Sequence, residues 1–230
     1  MKYRFLLLDA DGTLLDFKKA EACGLEATFL RHRLPFHKEI LSDYSRINQA
    51  CWEEFEQGKM DKTTLLSERF RRLFEKYGIE ADIEEVRKTY QYELSLGSYL
   101  LDHAYEVCKE LAASYQLYIV TNGVASTQYR RLKDCGLAQL VDGIFISEEI
   151  GFQKPQKEFF TSVFEKIDGF EPDKALMIGD SLSADMEGGI RAGIDTCWYH
   201  PGEKPDPLPL PVTYTISDIR KLKEILSETD

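Results

Sequence analysis

Phe5-Leu6-Leu7-Leu8-Asp9-Ala10-Asp11-Gly12-Thr13-Leu14-Leu15-Asp16 is the stretch on which the fold turns. Four apolar residues run into an aspartate. That length suits a short buried strand and falls short of the about 7–15 apolar residues of a secretory leader. In open α/β sheets, ligands gather outside the C-terminal ends of the strands. Residues i and i+2 of an extended chain share a face, so Asp9 and Asp11 both reach such a crevice. Gly12 lets the chain turn sharply away. Two carboxylates about 4 Å apart repel by roughly 4 kcal/mol at an effective dielectric near 20, so one is protonated or a cation sits between them. Such a pair can divide its labour, one oxygen attacking as nucleophile and the other carboxyl serving as general acid. A polar turn closing a strand has the same letters, so the argument needs the rest of the chain.

Further apolar runs of strand length fall at 117–120, 144–146, 175–178 and 194–199, with a weaker one at 212–216. Helix-like stretches separate most of them, and that alternation predicts an α/β fold: a parallel sheet with helices on both faces. Leu101, Ala104, Cys108, Leu111, Ala112 and Tyr115 form one helical stripe ahead of the strand at Leu117–Val120. A second helix is expected around 157–167. From about 18 to 97 no strand is convincing. Leu66, Phe70, Leu73, Phe74 and Tyr77 repeat at helical spacing, and 18–34, 37–57 and 82–96 also read as helices, with Gly58, Gly78 and Gly97 near their ends. The organisation expected is a discontinuous α/β core, 1–16 and 98–230, with an all-helical cap inserted at 17–97. Prolines 201, 205, 207, 209 and 211 predict an extended connection before the last strand.

The other strand ends are also polar. Ile119-Val120-Thr121-Asn122-Gly123 offers hydroxyl and N–H donors to an anion at the start of a helix. Lys154, held extended by Pro155, can point into the crevice as a positive charge for phosphate. Leu176-Met177-Ile178-Gly179-Asp180 runs into a carboxylate, with Asp185 about one helical turn on. Asp9, Asp11, Asp180 and Asp185 in one crevice call for a hard divalent cation with oxygen ligands, and Mg²⁺ fits. His32, His37, His103 and His200 are scattered and suggest no zinc site.

The 230 residues carry a net charge of −11, which disfavours a nucleic-acid polymer as partner yet permits a small anionic substrate. No run approaches the about 20 apolar residues of a membrane span. Five cysteines, without a C-x-x-C pair, read as reduced thiols of a cytoplasmic protein.

Each polar strand end is weak alone; together and in order they resemble motifs I to IV of the haloacid dehalogenase (HAD) superfamily, whose core is a Rossmann-type parallel sheet. The resemblance spans residue 5 to about 199, and the insertion after motif I is similar to the family's helical C1 cap. Thr121 and Lys154 stand too close in sequence to admit the alternative C2 cap. Where members often carry proline-glycine before motif II, this chain has Ser98-Tyr99-Leu100-Leu101. The resemblance implies Asp9 as nucleophile and Asp11 as general acid/base. It implies Thr121, Asn122 and Lys154 as substrate ligands. Mg²⁺ would be held by Asp9, the backbone carbonyl of Asp11, and Asp180, with Asp185 supporting the metal or holding Lys154. The expected activity is Mg²⁺-dependent hydrolysis of a small phosphorylated metabolite. Asp9 to Phe17 and the long cap look most similar to the bacterial pyrimidine 5′-nucleotidase branch. Sugar phosphates and phosphoglycolate remain alternatives, as do a 2-haloacid dehalogenase, a phosphonatase or phosphomutase, and a non-catalytic regulatory protein. The cap aromatics Phe29, Phe36, Tyr44, Trp52, Phe55, Tyr90, Tyr92 and Tyr99 could stack on a base, but a helical bundle needs such residues for its own core.

Overall fold

The structure is a computed structural model that describes residues 2–203, 205 and 207–228. The outermost residues of the expected core segments, 1 and 229–230, lie outside the described residues. The chain divides into two compact units, Met1–Asp16 with Tyr99–Asp230, and Phe17–Ser98.

In the first unit, strands β1 (Phe5–Leu8), β2 (Gln116–Thr121), β3 (Gly143–Ile146), β4 (Ala175–Gly179), β5 (Asp195–Tyr199) and β6 (Tyr214–Ile216) form one sheet in the order β3-β2-β1-β4-β5-β6. Every pairing is parallel. Consecutive side chains of a strand leave opposite faces, and β1 shows the consequence. Leu6 and Leu8 enter one apolar cluster with Ile119 and Ile178, while Phe5 and Leu7 enter another with Val120 and Met177. β1 is buried throughout, which is why it reads as a continuous apolar run. A central position for β1, between β2 and β4, brings the ends carrying Asp9, Thr121 and Asp180 side by side.

The helix expected from Leu101 to Tyr115 is shorter, running Ala104–Leu111. His103 takes a left-handed conformation, φ 65°, immediately before it. At the other end Ala112 to Tyr115 close a turn whose N–H groups donate to Cys108, Glu110 and Leu111, releasing the chain into β2. Ala112 is exposed and does not extend the buried stripe. The helix foreseen around 157–167 spans Lys157–Glu165. The proline-rich stretch carries no regular structure among its described residues, and β6 begins at Tyr214.

The second unit contains, in chain order, α1 (Phe17–Arg31), α2 (Lys38–Glu56), α3 (Lys62–Tyr77) and α4 (Ile83–Ser95). Asp61 caps α3 by accepting from Thr64 N–H, and Asp82 caps α4 by accepting from Glu84 and Glu85. Gly78 ends α3 in the left-handed region, at φ 61°. Of the aromatics named above, Phe29, Tyr44, Phe55 and Tyr90 are buried and build the unit's own core, joined there by Phe70, while Phe36 and Trp52 are partly buried and Tyr92 is half exposed. A polar thread crosses that core: Ser45 and Asn48 donate to Glu21, and Arg69 donates to Asn48.

Candidate active site

Asp9 leaves the end of β1 with its N–H bonded to the Ile178 carbonyl of β4, at 2.9 Å. Lys154 comes from the loop before α8, the helix Lys157–Glu165. Its side chain is 2% exposed, and its ammonium donates to Asp9 Oδ1 and Asp185 Oδ1, both at 2.6 Å, and to the Val120 carbonyl at 2.8 Å. Asn122 fixes this lysine from the backbone side. Its amide donates to the Lys154 carbonyl and accepts from the Lys154 N–H, each at 2.9 Å. The Asn122 side chain, expected as a substrate ligand, is thus engaged with Lys154. Asp185 lies in a π-helical turn, Leu182–Met186, where its second oxygen accepts from Ser181 N–H.

Asp9, Asp180 and Asp185 present carboxylate oxygens all within 4.8 Å of one another. Two glycines make room for them. A Cβ on Gly12 would stand 2.3 Å from Asp180 Oδ2, and one on Gly179 would stand 2.2 Å from Asp185 Oδ2. Gly12 also sits at φ +85°, which L side chains rarely adopt. None of the four histidines joins this group.

Burial pushes the Asp9 carboxyl well above its usual range; Lys154 opposes the shift, and Asp185 and Asp180 add to it. Asp180 is the most solvent-accessible of the three, yet loss of hydration and the charge of Asp185 raise it to about 7. Burial works against the charge on Lys154, but Asp185 and Asp9 outweigh it and hold the ammonium above its ordinary value. Three crowded carboxyls facing one cation leave an excess of negative charge. An all-oxygen donor set with that excess suits Mg²⁺, so the residues present fit the ion.

Asp11 is placed differently from the other acids. Its carboxylate is taken by two side chains of α6 (Ala125–Asp134): Arg131 Nη1 donates to Oδ1 at 2.5 Å and Gln128 Nε2 to Oδ2 at 2.8 Å. The Asp11 side chain therefore lies outside the three-carboxylate group. Thr121, at the end of β2, is buried and accepts from the Gly123 N–H at 3.1 Å and from Gln128 at 2.9 Å.

Gln128 and Arg131 escaped the sequence reading, although a signal was present. In Ala-Ser-Thr-Gln-Tyr-Arg-Arg-Leu-Lys-Asp the face that carries the buried Leu132 also carries Gln128 and Arg131, while a helix covering a sheet normally turns an apolar stripe inward. Buried polar side chains at i and i+3 need internal partners, and the nearest are at the strand ends. Thr13 is a further such residue, buried with its hydroxyl 3.4 Å from Asp180 Oδ1.

A parallel α/β sheet with paired acids after its first strand, and a lysine clamped between the first of them and Asp185, defines a class, and the comparison with known sequences agrees. The sequence model of the haloacid dehalogenase-like hydrolases matches residues 3–193, and the chain belongs to that family. Among full-length relatives, YfnB of Bacillus subtilis is 44% identical over 98% of this chain and 96% of its own. Its crystal structure, described as bound to magnesium and revealing interdomain movement, matches with a TM-score of 0.93, covering 98% of this chain and 99% of that one. The pyrimidine 5′-nucleotidase PynA of Streptococcus pneumoniae is 36% identical over 99% of this chain and 97% of its own. The pyrimidine 5′-nucleotidase YjjG of Escherichia coli is 29% identical over 98% and 99%. No described helix is long and apolar enough to cross a membrane.

Proposed function

We propose that this hydrolase is a Mg²⁺-dependent phosphomonoesterase of the cytoplasm, acting on nucleoside 5′-monophosphates with a pyrimidine base. The observation that carries the chemistry is Lys154 bonded to one oxygen of Asp9 inside a carboxylate cluster, with Asp11 two residues away. The substrate class rests on the two nucleotidase relatives, and the compartment on five free cysteines.

With Lys154 on Oδ1, Asp9 attacks phosphorus through Oδ2. A carboxylate–phosphorus bond forms as the ester P–O bond breaks, and the leaving alcohol takes its proton from Asp11. Asp11, now a carboxylate, accepts a proton from water as that water attacks the aspartyl phosphate and frees Asp9 and inorganic phosphate. The Lys154 ammonium, its three N–H bonds taken by Asp9, Asp185 and Val120, offsets the phosphoryl charge electrostatically, and the Thr121 hydroxyl donates to a phosphoryl oxygen. Asp9, Asp180 and the Asp11 carbonyl would hold Mg²⁺, supported by Asp185. The ion supplies positive charge against the phosphoryl group and keeps the crowded carboxyls ionised.

Phosphate release from nucleoside monophosphates, hexose phosphates and phosphoglycolate, with Mg²⁺ and with EDTA, tests the reading. Selective turnover of pyrimidine nucleotides that EDTA stops is expected. Inertness toward every ester, with halide release from 2-haloacids, would overturn it.

A further inference from the structure

We propose that Gln128 and Arg131 are positioning residues that set both the carboxylate of Asp11 and the hydroxyl of Thr121, an assignment that rests on the phosphomonoesterase reading. Both side chains are buried on α6, where an unpaired amide or guanidinium is costly. Their bonds with Asp11 form a closed ring. Arg131 Nη1 donates to Asp11 Oδ1 and, at 3.1 Å, to Gln128 Oε1; Gln128 Nε2 donates to Asp11 Oδ2 and to Thr121 Oγ1. Each oxygen of Asp11 thus has its own donor on one rigid helix, and the carboxylate cannot rotate without breaking one of the two bonds.

The same amide orients Thr121. A hydroxyl has two lone pairs and one proton. Thr121 Oγ1 accepts from Gly123 N–H and from Gln128, so both lone pairs are engaged and its proton is directed away from them. Gln128 therefore makes Thr121 a donor, which is the role an anionic phosphoryl oxygen requires. Gly123 permits the crossing: a Cβ there would lie 2.7 Å from Cγ, Cδ and Nε2 of Gln128. Arg131 and Gln128 connect the group that serves the leaving oxygen to the group that holds the phosphoryl oxygens, so the two are set in one geometry.

The test separates this role from simple packing through the leaving group. Gln128→Met keeps length and volume but donates nothing; Arg131→Lys keeps the charge but loses the fork. Alcohol release in a single turnover is followed for uridine 5′-monophosphate, whose leaving oxygen needs a proton, and for p-nitrophenyl phosphate, whose nitrophenolate does not. Arg131→Lys should slow release from the nucleotide about tenfold or more, a share of the about 10²–10⁴ of a general acid, and nitrophenolate release by no more than about threefold; Gln128→Met, which also frees the Thr121 hydroxyl that serves both esters, should slow nitrophenolate release too, but less than release from the nucleotide. KM for the nucleotide should move less than kcat, and circular dichroism should match wild type. If Gln128→Met does not fold, Gln128→Asn, too short to span Asp11 and Thr121, takes its place. Equal slowing of both esters, or slowing of neither, overturns the positioning role. Failure of the wild-type protein to cleave either ester instead overturns the phosphomonoesterase reading.

Discussion

Replacing Lys154 by methionine should destabilise the metal-free protein, by an amount set by the charges left behind. Lys154 is buried and bonded to Asp9, Asp185 and a carbonyl, while Asp180 completes the acidic group. Methionine fills the stem volume and supplies no charge. Removing one partner of a buried ion pair costs about 3–5 kcal/mol. At about 2–4 °C per kcal/mol for a chain of this size, the melting temperature should fall by about 6–20 °C at pH 8. The loss should shrink at pH 5.5. A carboxyl raised in the folded state, as Asp9 is, keeps its proton to higher pH than in the unfolded chain. Its share of stability is then whole at low pH and lost as pH climbs through the folded value. Without Lys154 the Asp9 value moves higher still, so acid relieves the variant by protonating the stranded group. Circular dichroism melts in EDTA at both pH values give the answer. A melting temperature equal to wild type at pH 8, or a loss equal at the two pH values, would refute the electrostatic account.

Asp9→Asn should abolish turnover, since an amide cannot form the acyl phosphate, while the core still folds, because Asp185 keeps Lys154 paired and the amide oxygen can still accept from it; phosphate release and circular dichroism check this. Mg²⁺ must displace a proton from Asp180, raised to about 7, and also from the raised Asp9 carboxyl wherever that is protonated, so affinity should weaken at least about tenfold for each pH unit below that value, as read by calorimetric titration. Asp180→Asn should remove the stabilisation by Mg²⁺, about 2.7 kcal/mol in wild type at 100 times Kd, so that the melting temperature no longer rises when the ion is added. Gly12→Ala should cost roughly 1–2 kcal/mol from the left-handed backbone alone, and more because its Cβ would meet Asp180; denaturant melts measure it.

The sheet was legible because β1 and β4 are buried on both faces and must be apolar from end to end, so the aspartate that closes each run stands out. The cap helices were legible from their periodicity, as at Leu66, Phe70, Leu73 and Phe74. Two kinds of information were not local. Leu101, Ala112 and Tyr115 continued a helical stripe on paper, but the chain had to turn at Ala112–Tyr115 to enter β2. Asp11 looked like one more member of the acidic group, whereas its carboxylate is drawn to α6 by a guanidinium and an amide more than a hundred residues away. Such pairing follows from the packing of α6 beside the strand ends, which no window of sequence contains.

The helical unit leaves the core at Asp16 and returns at Tyr99, where Asp16 N–H donates to the Tyr99 carbonyl and Leu101 N–H to that of Leu14, each at 2.9 Å. Leaving and returning strands are zipped at one spot, so the core is tied off before the excursion starts. For the core, those roughly 80 residues are a single loop with pinned ends. Loop-closure entropy grows only logarithmically: exchanging the excursion for one of about ten residues changes the core's stability by about 2 kcal/mol. An insertion so attached can be lengthened, exchanged or redrawn with little effect on the rest of the chain. The acids and the lysine, all carried by the core segments, keep their places as it changes.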